Sequence, residues 1–423
     1  MRSPTMRRAT GVVAGAAALA LLSACGSAGS ESRTTITLFQ FKPEAVDFFT
    51  QAAADFEAEN PDVRVVVDNV PDAETLLRTR LVKDDVPDVM TLNGNGTFGE
   101  LASAEVFRDW SGDPLLKEVN PAYVDVVQEL GEGAPGEVNG IPFAANASGV
   151  LYNPEIFAEQ GLEVPRTWEE FVATAQTLEK AGVTPVYGTL ADAWTVQAAL
   201  APLVPQTQPE DFFEQRFAGT TTFEQGWPEA LEKLATLYDY TQPNAGSRGY
   251  DDGTQAFARG EAAMLVIGTY AIPQVRTFEP DFEIGSFALP ATDDPAATTV
   301  VSGVDVLLAT GRDGEHPEES RRLVEFLLEP ERVAAYAEAQ VAIPALEGQV
   351  AQDPALAGLQ PLIDAGRVDG FFDHQFIPAI PLGPQLQSYL LGGTDMETTL
   401  AQLDEDWDAV AARRTWGLGA VES

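Results

Sequence analysis

Apart from carboxylates, reactive side chains are scarce in this chain. Its 423 residues hold two histidines, His316 and His374, one cysteine, Cys25, and 65 aspartates and glutamates. Zinc sites draw on clustered histidine or cysteine and calcium loops on a regular run of acids, and neither HExxH nor DxDxDG occurs. Nucleophilic catalysis needs an activated side chain beside a base; there is no GxSxG elbow, and two histidines offer few bases. Glycoside cleavage needs only two carboxylates, but among so many acids a pair can always be found, so finding one carries no information. Two GxGxxG matches exist. "GNGTFG" (94–99) follows a strand and precedes the run 100–107, read as a helix. A dinucleotide site also needs a second strand ending in an acid about 20 residues on, where this chain has the loop "RDWSGDPLL". These glycines are therefore expected to let backbone approach another kind of ligand. "GEGAPG" (131–136) contains Pro135 and reads as a turn.

What remains is a set of amide, carboxylate and aromatic residues near the ends of strands, where ligands bind in a doubly wound sheet. Gln40, Phe41, Lys42 and Glu44 lie at the end of "TTITLFQF" (34–41), and Asn93 and Asn95 follow "DVMTL" (88–92). Asn146 and Ser148 follow "IPFA" (141–144), Trp194 lies beyond "TPVYGTL" (184–190), and Thr269 and Tyr270 come after "AAMLVIG" (262–268). Amides and carboxylates make paired hydrogen bonds to hydroxyls, and flat rings stack on the apolar face of a pyranose. Each residue alone also has a structural reading, Trp194 as a core side chain for example. Their shared placement is what favours a site.

The elements that must position these residues alternate. Strands at 34–41, 63–68 and 88–92 are separated by helices at 44–60 and 74–84, which implies right-handed crossovers in a largely parallel sheet. The pattern returns in strands at 184–190, 262–268, 282–290 and 300–310 and in helices at 167–182 and 227–241. Thr167, with Glu170 three residues on, is expected to cap the first of these helices. The end of the chain reads as helical, over 318–339 and 396–414. With 45% hydrophobic residues, the chain is globular and too long for one core, so two domains are expected.

The first 24 residues have the layout of a secretory signal: Arg2, Arg7 and Arg8, then an uncharged apolar stretch over 11–22. The residues Leu22-Ser23-Ala24-Cys25-Gly26 resemble the bacterial lipobox, in which cleavage leaves the cysteine as a lipid-bearing N-terminus. That would account for a lone thiol with no internal partner. Residues 25–33 then form a small, polar, lipidated tether. Losing residues 1–24 removes three arginines and no acid, taking the net charge from −40 to −43. Such a surface repels nucleic acid and bare anionic lipid. The mature body keeps no cysteine for an internal disulfide or a thiolate metal site.

Five stretches complete the pattern: "PDVMTLNGNGTFGEL" (87–101), "GIPFAANASGVLYNPEIF" (140–157), "VPRTWEEF" (164–171), "FARGEAAMLVIGTY" (257–270) and "FLLEPERVAAYAEAQVAIPAL" (326–346). In this order, behind a lipobox, the chain resembles the extracellular solute-binding component of a bacterial ABC sugar importer, the family of maltose-binding and multiple-sugar-binding proteins. The resemblance implies a two-lobed α/β fold of the type II periplasmic-binding-protein kind. Each lobe is expected to be a doubly wound, mainly parallel sheet with flanking helices, closing about a hinge. Crossings are expected near 140–147, 300–310 and 343–347. Both lobes are then discontinuous, one from 34–142 with 303–345 and the other from 143–302 with 346–423.

The resemblance also implies a non-catalytic receptor, without cofactor or metal, that captures a di- or oligosaccharide and delivers it to a permease. The chain has no P-loop, so the ATPase is expected to be separate. The receptor is expected to be monomeric and held on the outer face of the cell membrane through Cys25. Carried over by position, one ligand contact falls on Asn95 and another on Asn146, in a slot where some relatives carry a carboxylate. Tyr270 stands where many relatives have tryptophan. A late aromatic segment falls on "GFFDHQF" (370–376), with Phe372, Asp373 and His374, and Asp305 completes the ligand-binding set. The alternatives are a non-sugar solute such as a polyol phosphate and, more distantly, a secreted carbohydrate-active enzyme. Phosphate capture normally recruits arginine or lysine, and the expected cleft offers mainly Lys42.

Overall fold

A computed structural model describes residues 33–411 apart from 70–72, 82, 84 and 132–135. The expected signal segment, Cys25 and most of "GEGAPG" lie outside the described residues. The chain opens with a parallel unit. Strand β1 (Thr34–Gln40) runs between β2 (Val63–Asn69) and β3 (Val89–Leu92), with Thr34 opposite Val63 and Leu38 opposite Val89. The helix Val46–Glu59 joins β1 to β2 and buries Phe49, Ala52, Ala53 and Phe56, one face of a 3.6-residue period.

Two long buried strands then carry the chain across the molecule: β4 (Ile141–Tyr152) and, after β5 (Met264–Gly268) and β6 (Gly285–Phe287), β7 (Val300–Thr310). The sheet runs in the order β2-β1-β3-β7-β4-β5. The first half of β4, from Ile141 to Ala147, pairs antiparallel with β7. From Ser148 to Tyr152 it pairs instead with β5, and β6 adds to the same stretch. Two short strands follow, β8 (Ile343–Pro344) against Ala144 and Ala145 and β9 (Val368–Asp369) against the start of β7. The ladder slips on either side of Ala144, next to Pro142, which has no N–H to give.

Apolar side chains gather on both sides of this crossing. One core contains Ile36, Phe49, Phe56, Phe143, Val306 and Tyr336, with the Phe143 and Tyr336 rings edge-on at 4.9 Å. Another contains Val150, Phe171, Trp227, Phe372, Phe376 and Trp407. Buried Arg216 donates to Asp408 at 2.7 Å and to the Asp404 carbonyl at 3.1 Å, fixing the helix Met396–Ala411 onto the second core.

The α/β, two-lobed class matches the expectation; the strand directions add detail, because the long crossing strands run antiparallel to their neighbours. The expected strand at 184–190 is not formed. Only Val186 bridges, to Thr241 and Met264, since Pro185 cannot donate and Gly188 lies tightly against Thr241 and Ala245. The strand expected at 282–290 shortens to β6. The helix expected at 318–339 is two helices, Pro317–Leu327 and Pro330–Gln340, because the residue before a proline is held extended, and Glu329 has φ −55° and ψ 132°. The helix expected from residue 100 starts inside the glycine motif, as Gly96–Ser103.

The glycine motif packs against the protein itself. Gly94 N–H donates to the Val304 carbonyl at 2.9 Å, and a Cβ on Gly94 would stand 2.9 Å from Val304 Cβ. Replacing Gly94 with alanine should therefore force the loop away from β7 and lower stability by about 1–3 kcal/mol, read by chemical denaturation. An unchanged denaturation midpoint would show that the loop is not packed this tightly.

Candidate functional site

A cleft of about 400 Å³ opens where β4 and β7 cross. Segments remote in sequence line it: the 41–44 loop after β1, the 93–94 loop after β3, Asn146 of β4, the helix Ala193–Leu200, Tyr270 after β5, residues 303–305 of β7 and the 371–374 turn. Its floor is polar. Lys42 Nζ and Asp305 Oδ2 form a buried ion pair, and Asn146 Nδ2 donates to Asp305 Oδ1 at 3.1 Å. Burial pulls the Lys42 ammonium down, but the Asp305 carboxylate outweighs it and holds the amine well above its ordinary value. Gln40 Nε2 donates to the Lys42 carbonyl and so fixes the loop that carries the lysine. The Asn146 oxygen is buried without a partner, an acceptor that the protein leaves unused.

One wall is aromatic. Trp194, 43% exposed, packs its ring 5.1 Å from Tyr250 and 6.2 Å from Tyr270. The Tyr270 ring folds back over Gly268, where a Cβ would collide with it, and burial pushes its phenol above the ordinary tyrosine range. The other wall is the turn Phe372–His374. Phe372 anchors this turn in the core, edge-on to Trp227 at 5.7 Å, while Phe371, Asp373 and His374 also line the cleft. Gly303 makes this possible, because a Cβ there would stand 2.7 Å from the Phe371 ring and 3.0 Å from His374. The arrangement can grip a solute between rings and hydrogen-bonding groups. Among the described residues no cluster of three or more histidine, cysteine or acidic side chains is placed to hold a metal ion.

Comparison with known proteins assigns this geometry. The family described as bacterial extracellular solute-binding protein matches residues 42–334. The chain belongs to that family. The multiple sugar-binding protein of Streptococcus mutans is 30% identical over 81% of this chain and 83% of its own length. RafE solved in complex with raffinose is 28% identical, with a TM-score of 0.79, covering 89% of this chain and all of that one. The apo form of RafE from Streptococcus pneumoniae has a TM-score of 0.76 at 28% identity, covering 90% and 98%.

In this solute-binding protein ten of the expected site residues line the cleft: Lys42, Glu44, Asn93, Asn146, Trp194, Tyr270, Asp305, Phe372, Asp373 and His374. Four do not. Gln40 is buried behind Lys42. Asn95 Oδ1 accepts from Phe98 N–H as the cap of the helix Gly96–Ser103, and the residue lines a smaller neighbouring pocket. Ser148 Oγ donates to the Ala198 carbonyl, and Thr269 Oγ1 accepts from Ala147 N–H. Asn146 lies mid-strand rather than past a strand end, and Trp194 sits in the first turn of a helix. The sequence reading missed Gln197, Ala198 and Ala201, which with Trp194 follow an i, i+3, i+4, i+7 spacing; that period was the available signal. It also missed Gly303, and within the expected segment 370–376 it singled out Phe372 but not Phe371.

His374 supplies a pH handle. Burial holds its imidazole below the ordinary value, with Asp373 and Glu129 countering only in part, and the ring hydrogen-bonds the Gly94 backbone. A depressed histidine contributes stability that is complete above its unfolded value of about 6.5 and is lost as pH falls through the folded value. The thermal midpoint should therefore drop between pH 7 and pH 5, and drop less in His374→Gln. Equal drops in the two proteins would remove His374 from the account.

Proposed function

We propose that this protein captures a carbohydrate of di- or oligosaccharide size in the cleft and hands it to a membrane permease driven by a separate ATPase. The observation that carries the reading is the pairing of Trp194 and Tyr270 on one wall with the hydrogen-bonding floor of Asn146, Asp305 and Lys42. Rings cover the apolar faces of a sugar while amides and carboxylates take its hydroxyls. Rings on separate segments, Trp194, Tyr270 and Phe371, line the cleft, which favours more than one sugar ring. The raffinose carried by RafE and the sugars of the Streptococcus mutans relative support the same class.

In this reading residues 34–142 with 303–345 and residues 143–302 with 346–423 are the lobes. They close about β4, β7 and β8 when a sugar touches both, so affinity depends on how much of the closed state each sugar selects. Asn93, Glu44, Phe372, Asp373 and His374 complete the contact set. Processing at the lipobox leaves Cys25 as a lipid anchor on the outer face of the membrane, and the mature receptor works there as a monomer without enzymatic turnover.

Calorimetry against mono-, di- and trisaccharides tests the site. Tyr270→Ala should weaken every sugar that binds by about tenfold, a stacking contribution near 0.5–1.5 kcal/mol plus lost contact area. Asn146→Ala should instead reorder the ranking among sugars, because an unpaired polar group costs roughly 1–3 kcal/mol only for ligands that place one there. Wild-type affinity for all sugars in Tyr270→Ala would move the site elsewhere. The anchor is tested by Cys25→Ala, which should leave the protein unprocessed or released from the membrane with its sugar affinity unchanged. Wild-type protein free in the medium with an unmodified N-terminus would end that part of the proposal.

A further inference from the structure

The charged side chains lining the cleft among the described residues are Lys42, Glu44, Asp305 and Asp373, with His374 beside them. Lys42 is the one ammonium in that set, and it is already engaged by Asp305 in a pair that both side chains bury. The second oxygen of Asp305 accepts from Asn146, so the carboxylate is held from two sides and cannot swing away to release the lysine without losing both contacts. His374 stays neutral near pH 7, because burial lowers its imidazole. Glu44 adds a carboxylate on the same side as Lys42, and Asp373 adds another on the opposite wall. A solute entering this cleft meets carboxylates and a cation that is already taken.

Resting on the carbohydrate reading above, we infer that the cleft sorts solutes by charge, admitting neutral sugars and rejecting sugar acids and sugar phosphates, and that Asp305 sets this selectivity by occupying Lys42. Asp305 acts here through the lysine: it is a positioning residue, and its loss should turn Lys42 into an anion-binding group. Electrostatic complementarity of this kind governs which partner is excluded more than how tightly the right one binds.

The experiment compares three chemical forms of each sugar that binds among raffinose, sucrose and maltose. These are the sugar itself, the acid in which a terminal C6 hydroxymethyl is oxidised to carboxylate, and the neutral carboxamide of that acid, which keeps the shape without the charge. sn-Glycerol 3-phosphate is included as a small anion. Wild type should bind the carboxamide about 100-fold more tightly than the carboxylate, a like-charge penalty of the size seen at mismatched interfaces, and the ratio should shrink as salt is raised. Asp305→Asn should narrow the ratio by about tenfold, as an unpaired ammonium becomes available, and Glu44→Gln should narrow it by a smaller factor. Thermal melts report whether Asp305→Asn is folded. Should it not be, Glu44→Gln and the salt series carry the test alone. A wild-type ratio near one, or a ratio unmoved by both substitutions and by salt, overturns the inference while leaving sugar binding intact. Binding of sn-glycerol 3-phosphate with none of the sugars overturns both this inference and the reading beneath it.

Discussion

The buried ion pair between Lys42 and Asp305 ties the crossing together. Two charges taken out of water barely repay their desolvation, and removing one partner leaves the other stranded at a cost of about 3–5 kcal/mol. Such a pair therefore constrains position more than it adds stability. Lys42 comes from the loop after β1, Asp305 from the middle of β7, and Asn146, on the same carboxylate, from the middle of β4. A shift of any one of these segments breaks hydrogen bonds to a buried charge. The first parallel unit is thus locked in register with both long strands at the point where the cleft begins.

Small residues let the rest of the cleft close around that point. Gly303 sits opposite Asn146 in the ladder and leaves room for Phe371 and His374, while Gly94 brings the loop after β3 against Val304. The alanines at 144, 145 and 147 are buried, with chain packed on every side. Large side chains in these places would hold the segments apart and fill the space that the rings and amides surround. The glycine motif that looks like a nucleotide fingerprint serves this packing, as does its Asn95, whose side chain is committed to a helix end.

The parallel unit and the helix Val46–Glu59 were legible, because β-branched runs and an apolar stripe of helical period are strong local signals. So were Lys42, Tyr270 and the 370–376 segment. The course of β4 was legible only in part: a crossing near 140–147 follows from the family resemblance, but "AANASG" has little strand propensity of its own and is buried sheet because β7 and β5 supply its hydrogen bonds from far along the chain. The same non-local logic hid the helix under Trp194 and dissolved the strand at 184–190, where Pro185 and Gly188 outweigh a Val-Tyr pair. Asn95 and Asn146 show the limit most directly. Both are amides beside glycine- or alanine-rich turns in sequence, and only the surrounding fold makes one a helix cap and the other part of the cleft floor.

Placing binding groups on the crossing strands as well as on the flanking cores divides their work in the proposed closure. A contact made by Asn146 or Asp305 comes from strands shared by both cores, so it is available before and after the lobes approach. It can raise affinity and discriminate between hydroxyl patterns, but it favours open and closed states nearly equally and so moves the equilibrium little. Glu44 and the Lys42 loop are carried with one core, whereas Tyr270, Trp194 and the 371–374 turn are carried with the other. Only a solute long enough to touch both groups gains contacts on closing, and the free energy of those added contacts is what drives the lobes together. In the proposed closure the aromatic wall and the crossing floor are therefore not interchangeable: in that reading the floor chooses the solute, and the walls turn that choice into a change of shape.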